Sequence, residues 1–266
     1  MQVETNMVRR MRIVLTAGGT REPIDDVRFV SNAATGGLPA AIADVLLEAG
    51  HEVHYIHGPG ALLPGHATLN LDLTAISADA LQANVTTWLT ATLARQAALS
   101  RGHLTLHPIQ TATEVAELLR TLCLRLQPDA VACAMAVADF APLPTAGKLS
   151  SRQANLVLDM AATPKAIDGV KPSAPQTCLL GFKLLSGATE AQLCEAADRQ
   201  IARAGSNLVF CNDMNDLRNG LRRGLLVGAG GHVRARLDGG RGELGLQALA
   251  RAIVAAWLPL PLPNSV

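Results

Sequence analysis

"LTAGGTREPIDDVRFVSNAATGG", residues 15–37, is the stretch on which the reading of this chain turns. Its first letters open like any nucleotide-binding α/β fold: an apolar run, two glycines, a threonine. A dinucleotide-binding strand passes almost directly into its helix, through a GxGxxG turn. Here "GGTREP" breaks that pattern. A polar loop follows instead, with Arg21, Glu22, Asp25, Asp26, Arg28 and Asn32, before helix-like sequence resumes near Pro39. The loop argues against a nicotinamide dehydrogenase and holds something else.

Working outward, "RIVLTAGG" (12–19) reads as a buried strand and a glycine turn, "PAAIADVLLEAGHEV" (39–53) as a helix, and "EVHYIHG" (52–58) as the next strand. Pro39 falls in the first turn, where a missing N–H costs little, and Gly50 marks the stop. This is a βαβ unit, so the sheet is parallel. Residues 77–99 form an additional helix-like segment, "LTLHPI" (104–109) a strand, and residues 111–126 a helix opened by Thr111 with Glu114 three residues on. "DAVACAMAVADF" (129–140) reads as a buried strand ending at Asp139, followed by a Pro- and Gly-rich loop with Lys148. "NLVLDM" (155–160) alternates like an edge strand, and "TPKAIDGV" (163–170) reads as a short helix. Residues 177–187 and 208–214 read as strands, with a helix over 188–207 between them. A glycine-turned hairpin over 224–240 and a closing helix over 242–258 complete the chain. The fold expected is one doubly wound, mostly parallel, Rossmann-like α/β domain over residues 11–258. It carries a small β-hairpin extension and an inserted helical segment within 62–100, with frayed tails at 1–10 and 259–266.

Composition narrows the function. The chain has 266 residues, 49% hydrophobic but only 3% aromatic, and a formal charge of +1. A core of Leu, Val, Ile and Ala is implied, and neither stacking platforms nor a basic footprint for nucleic acid are available. No run reaches the ~20 apolar residues of a membrane span, and no signal peptide opens the chain. Cys123, Cys133, Cys178, Cys194 and Cys211 stand in apolar surroundings without metal spacing, as free thiols of a reducing cytoplasm do.

The chemistry sits at strand ends. Gly18 and Gly19 let the backbone turn close to a ligand, and N–H groups there or at Gly36 and Gly37 can cradle phosphate oxygens. Asp139, at a predicted strand end, either caps the next segment or ligates a nucleotide-bound Mg²⁺, which needs only one or two carboxylates. Lys148 is either solvated or closes over a polyphosphate. Lys183 lies within an apolar strand and pairs either with a carboxylate or with a ligand. The histidines have no triad or metal context, and there is no nucleophile elbow and no Walker A.

Six blocks, in order, resemble one family: "TAGGTREPIDDVRFVSNAATGG", "AMAVADF", "GKLSS", "TPKAI", "LLGFKLL" and "NLVFCND". They look like the phosphopantothenate–cysteine ligases of the DNA/pantothenate metabolism flavoprotein family, in their stand-alone bacterial form, for which no flavin is expected. The resemblance implies that the carboxylate of 4′-phosphopantothenate attacks the α-phosphate of CTP or ATP, and that cysteine then takes the acyl group. Pyrophosphate is the first leaving group. Carried over by motif, Asn32 handles the acyl group and Arg28 binds substrate anions across a homodimer interface, beside Gly36 and Gly37. Lys148 closes over the triphosphate and Asp139 ligates Mg²⁺. Phe182 lines the base pocket with Ala136 and Val137, joined by Gly18, Gly19 and Lys183.

Three departures from the family pattern bear on this. "SNAATGGLP" has Ala33 and Ala34 where the family is serine-rich, and Pro39 where it has a glycine. Residues 77–99 exceed the family's usual length. Lys148 is the only basic residue between Asp139 and Arg152. They leave open a nucleotide-dependent ligase acting on a different acid, or an inactive nucleotide-binding relative, against which the retention of Asn32 and Lys148 argues.

Overall fold

The computed structural model describes residues 9–66, 77–150 and 155–258. In chain order the elements are β1 (Arg12–Ala17), β2 (Arg21–Pro23), β3 (Phe29–Ser31), α1 (Gly37–Glu48), β4 (Glu52–His57), α2 (Ala78–Ser100), β5 (Leu104–Pro108) and α3 (Ala112–Leu126). Then follow β6 (Ala130–Cys133), β7 (Phe140–Pro142), β8 (Met160–Ala162), a 3₁₀ turn at Ala166–Gly169, α4 (Val170–Ser173), β9 (Cys178–Leu185) and α5 (Glu190–Ala204). The chain closes with β10 (Leu208–Asp213), α6 (Met214–Arg218), β11 (Leu221–Val227), β12 (Val233–Arg241) and α7 (Gly242–Trp257).

Eight strands form one sheet in the order β12-β11-β10-β9-β6-β1-β4-β5. The six from β10 to β5 are parallel, and β11 and β12 add an antiparallel edge. The chain starts at β1, builds outward to β4 and β5, then crosses to β6 on the other side of β1. That reversal puts a topological switch point between β1 and β6, where the carboxyl ends of parallel strands leave a crevice.

Strand periodicity explains how both faces are covered. Ile13 and Leu15 of β1 point into a layer with Ile42, Leu46, Tyr55, Ile253 and Trp257, while Val14 packs oppositely with Ile56, Val115, Leu119 and Leu179. The first layer is roofed by α1 and α7, the second by α3 and α4. Thr111 opens α3 with the expected capping box, and Thr189 with Gln192 does the same for α5. Gly205, in the left-handed region at φ +68°, ends α5.

Several local expectations are corrected. The polar loop contains a two-stranded hairpin, β2–β3, pairing Arg21 with Ser31 and Pro23 with Phe29. β6 stops at Cys133, six residues before Asp139, because the chain then leaves the sheet to bond with Thr16 at the end of β1 and with Gly18 and Thr20 in the loop after it. Of "NLVLDM" only Met160 is in a strand. It pairs with Pro142 in the separate β7–β8 ribbon, and residues 155–159 form no edge strand. The hairpin read over 224–240 is continuous with the main sheet, as its antiparallel edge. Within the inserted segment, residues 67–76 lie outside the described residues. α2 packs against β5 without burying any residue, and Val85, Trp88, Leu89 and Leu93 are exposed. Residues 1–8 and 259–266 also lie outside the description, whereas Arg9, expected in a tail, pairs with Asp129 at 2.7 Å.

Leu15 sits fully buried in the central strand. Leu15→Ala is expected to cost about 2–5 kcal/mol of folding free energy, measured as a lower urea midpoint at unchanged slope.

Candidate active site

The loops after β1 and β6 flank the switch point and are sewn together. Thr16 Oγ1 accepts from the Met135 N–H at 3.1 Å and Thr20 Oγ1 from the Ala138 N–H at 3.0 Å. Between them the Ala136 N–H donates to Gly18 O at 2.8 Å, and Gly19 bridges Ala136 in parallel register. Both threonines are buried, so their hydroxyls answer backbone N–H groups that would otherwise be orphaned.

The glycines are required by contact. A Cβ on Gly18, whose φ is +80°, would lie 2.5 Å from Ala61 Cβ, and one on Gly19 would lie 2.8 Å from Asn32 O. Gly36 (φ +75°) caps α1, and a Cβ there would come within 3.0 Å of Gly18 N. Gly18, Gly19, Asn32, Gly36 and Ala136 are thereby gathered at one point. Asn32 Nδ2 donates to Ala136 O at 3.2 Å, with the residue otherwise exposed. A Cβ on Gly37 would meet Leu246, Leu62 and Thr35 at ordinary contact distance, and none of the gathered residues.

Beside this point opens a cavity of about 290 Å³, lined by Ala136, Val137, Asp139, Phe182 and Lys183. Phe182 is held against Phe210, ring centroids 5.7 Å apart. Lys183 has no ion-pair partner among the described residues, which disposes of the carboxylate pairing the sequence left open. Asp139 is paired with Lys165. The sequence assigned no role to Lys165, although it belongs to the quoted "TPKAI". Thr163 explains that motif: its N–H donates to Asp139 O at 3.0 Å and its hydroxyl to Ala138 O, docking the segment onto the loop after β6. Gln200 of α5 also reaches the cavity and was not legible, since it looks like any polar helix residue.

Arg28 and Lys148 do not line this cavity. Arg28 lies in the turn between β2 and β3, where Nη2 donates to Asp25 Oδ2 at 2.8 Å and to Leu149 O at 2.7 Å, while its buried Nε has no partner among the described residues. Lys148 is exposed in the loop after β7. Asp25, missed as a site residue, is buried: burial pushes its carboxyl up, but the N–H groups of Val27, Leu149 and Arg28, with the Arg28 charge, outweigh this and hold it below the ordinary 3.8. A lowered folded-state pKa means its contribution to stability is present above the ordinary carboxylate range and lost as pH falls through the lowered value. The sequence signal was the Asx-turn spacing from Asp25 to Val27.

Among the described residues, no three His, Cys, Asp or Glu cluster as a metal cage. The exposed Asp139 carboxylate at the cavity edge does fit a magnesium ion that arrives on nucleotide phosphates. Nucleophilic chemistry is poorly served: burial pushes Cys123 up to about 11 and Cys211 to about 12, and raises Cys133 further. No helix among the described residues is long and apolar enough to cross a membrane.

Known proteins of similar sequence and structure agree in kind. The family described as DNA/pantothenate metabolism flavoprotein C-terminal domain matches residues 8–100 and 74–224, two segments that overlap in α2. The coenzyme A biosynthesis bifunctional protein CoaBC of Thermococcus kodakarensis is 31% identical over 218 residues, 82% of this chain and 45% of that protein. Its namesake in Methanocaldococcus jannaschii is 24% identical over 204 residues, 77% of this chain and 41% of that protein. The chain thus spans less than half the length of these curated relatives. Among solved structures, the DNA/pantothenate metabolism flavoprotein from Streptococcus pneumoniae superposes with a TM-score of 0.69 at 23% identity, covering 93% of this chain and 99% of that one. A Cab2 mutant in complex with phosphopantothenate-cysteine gives 0.73 at 21% identity, covering 94% and 88%. These structural likenesses bear on the fold.

Thr20→Val keeps the shape but removes the acceptor for the Ala138 N–H. A loss of about 1–3 kcal/mol is expected, with faster hydrogen exchange at Ala138 as the local readout.

Proposed function

We propose that this chain, which belongs to the DNA/pantothenate metabolism flavoprotein C-terminal domain family, joins 4′-phosphopantothenate to cysteine at the expense of a nucleoside triphosphate, CTP or ATP. The observation that carries the reading is the bond of Asn32 to the C=O of Ala136, a residue that lines the cavity together with Phe182 and Lys183. An acyl group held by Asn32 would meet the α-phosphate of a nucleotide whose base rests on Phe182.

The substrate carboxylate attacks the α-phosphorus and pyrophosphate leaves. The cysteine amine then attacks the acyl carbon, the nucleoside monophosphate departs, and an amide remains. Such a sequence needs positioning and charge neutralisation rather than a protein nucleophile, in keeping with cysteine thiols whose pKa values desolvation raises. Lys183, uncommitted in the cavity, faces the phosphates, and Lys148 closes over the triphosphate from its exposed loop. The backbone of Gly18 and Gly19 lies against the nucleotide, and the first-turn amides at Gly36 and Gly37 receive the phosphate of phosphopantothenate. Arg28 adds positive charge through the part of its guanidinium not spent on Asp25 and Leu149. Asp139 would hold Mg²⁺ with the phosphates, with Lys165 giving way. The metal supplies neutralisation of phosphate charge. A homodimer is part of the proposal, supported by the exposed Phe140, Leu143, Val157 and Met160 around the β7–β8 ribbon. The free cysteines support a reducing, cytoplasmic setting.

Ala33 and Ala34, beside Asn32 without a hydroxyl to offer, favour a second reading in which the same chemistry serves another acid. The test is pyrophosphate release with Mg²⁺, 4′-phosphopantothenate, cysteine and either nucleotide, with product mass read in parallel. The phosphopantothenoylcysteine mass is expected; silence with both nucleotides sinks the first reading and favours the second.

Lys148→Gln is expected to slow pyrophosphate release about 10²–10³-fold, as does loss of a charge-stabilising donor elsewhere; unchanged release removes Lys148 from activation. Asn32→Asp is expected to release pyrophosphate yet accumulate the acyl-nucleotide, visible by mass after quenching.

A further inference from the structure

Asp25 does more than shape its own turn. Oδ1 accepts from the N–H groups of Val27 at 3.0 Å and Arg28 at 2.8 Å, which is all an Asx turn needs. Oδ2 serves a segment over a hundred positions away in sequence: it accepts the Leu149 N–H at 3.0 Å, as well as Arg28 Nη2. Arg28 in turn donates to Leu149 O, so the Leu149 residue is held at both its N–H and its C=O. Two backbone bonds extend the seam, Asp26 N–H to Gly147 O at 3.1 Å and Thr145 N–H to Ile24 O at 3.0 Å. Lys148 therefore lies between two tied residues, Gly147 and Leu149, with its own side chain exposed. The other strand of the same hairpin leads directly into Asn32.

A carboxylate whose side chain is wholly removed from solvent is tolerated only when its lone pairs are satisfied. Here four donors do so, and half of that set is what attaches the Lys148 strap. We infer that Asp25 is a positioning residue: a buried latch that fixes the strap carrying Lys148 to the hairpin carrying Asn32, so that the two half-reactions share one frame. The roles of Lys148 and Asn32 rest on the function proposed above; the latch itself is a matter of geometry.

Asp25→Asn separates the two duties. The amide oxygen still accepts the Val27 and Arg28 N–H groups, while its NH₂ meets the Leu149 N–H donor to donor and no longer pairs with Arg28. Trypsin cleavage after Lys148 is expected to quicken about tenfold, as the opened population rises. The kcat for pyrophosphate release is expected to fall about a hundredfold with KM for the nucleotide little moved, the signature of misplacement. Glu22→Gln is the control. It alters the other buried carboxylate of the hairpin, which accepts from Ala112 N–H at 2.9 Å rather than from the strap. It should lower the melting temperature without speeding cleavage after Lys148. Arg28→Gln, at a partly exposed position, cuts the carbonyl-side tie and keeps the test alive should Asp25→Asn fail to fold.

Unchanged cleavage in Asp25→Asn, or equal acceleration in Glu22→Gln, overturns the latch. A loosened strap with normal turnover overturns its positioning role. If the unmodified protein releases no pyrophosphate with either nucleotide, the functional reading fails, and the cleavage comparison alone still decides whether Asp25 holds the strap.

Discussion

The candidate site of this molecule hangs on the stitch between the segments that leave β1 and β6. Two parallel strands that diverge at a switch point leave a crevice whose walls have no ladder to hold them. Here the walls are held by two buried threonine hydroxyls and one backbone bridge. That arrangement sets a steric condition on its surroundings. Gly58 must lack a side chain because a Cβ there would come 2.0 Å from Gly19 O, and Gly36 because it lies against Gly18. The glycines of the opening stretch are needed first to let backbone approach backbone, and any ligand inherits the space they leave.

The hairpin after β1 is the second device. It is anchored at both ends by buried carboxylates. Glu22 accepts from the first residue of α3 while the Arg21 N–H donates to Gln110 O at 2.7 Å, and Asp25 ties the far end to the loop after β7. A segment that composition alone would call a mobile polar loop is thereby rigid. Its two buried carboxylates face inward to backbone partners, while Asp26, Ser31 and Asn32 stay exposed.

Charge in the chain nearly cancels, so any anion must be met locally. The cavity carries two lysines in different states, Lys165 neutralised by Asp139 and Lys183 without an ion-pair partner among the described residues. In the proposed function the pairing would keep the exposed carboxylate from repelling an incoming polyphosphate, and the Lys183 ammonium would supply attraction.

The sequence determined by itself whatever depends on periodicity and local chemistry: the parallel strands, the capped helix at Thr111, and the hairpin over 224–240 though not its place in the main sheet. Those signals act over a few residues, so they survive without a partner in view. It did not determine where β6 ends, because "AVACAMAVAD" stays apolar past the last ladder bond and only the hydroxyls of Thr16 and Thr20 explain why the chain leaves the sheet. Nor could it reveal the pairing of Lys165 with Asp139 or the bond between Leu149 and Asp25. Each joins positions far apart in the chain, and a buried charge is recognised only by the donors that tertiary structure brings to it.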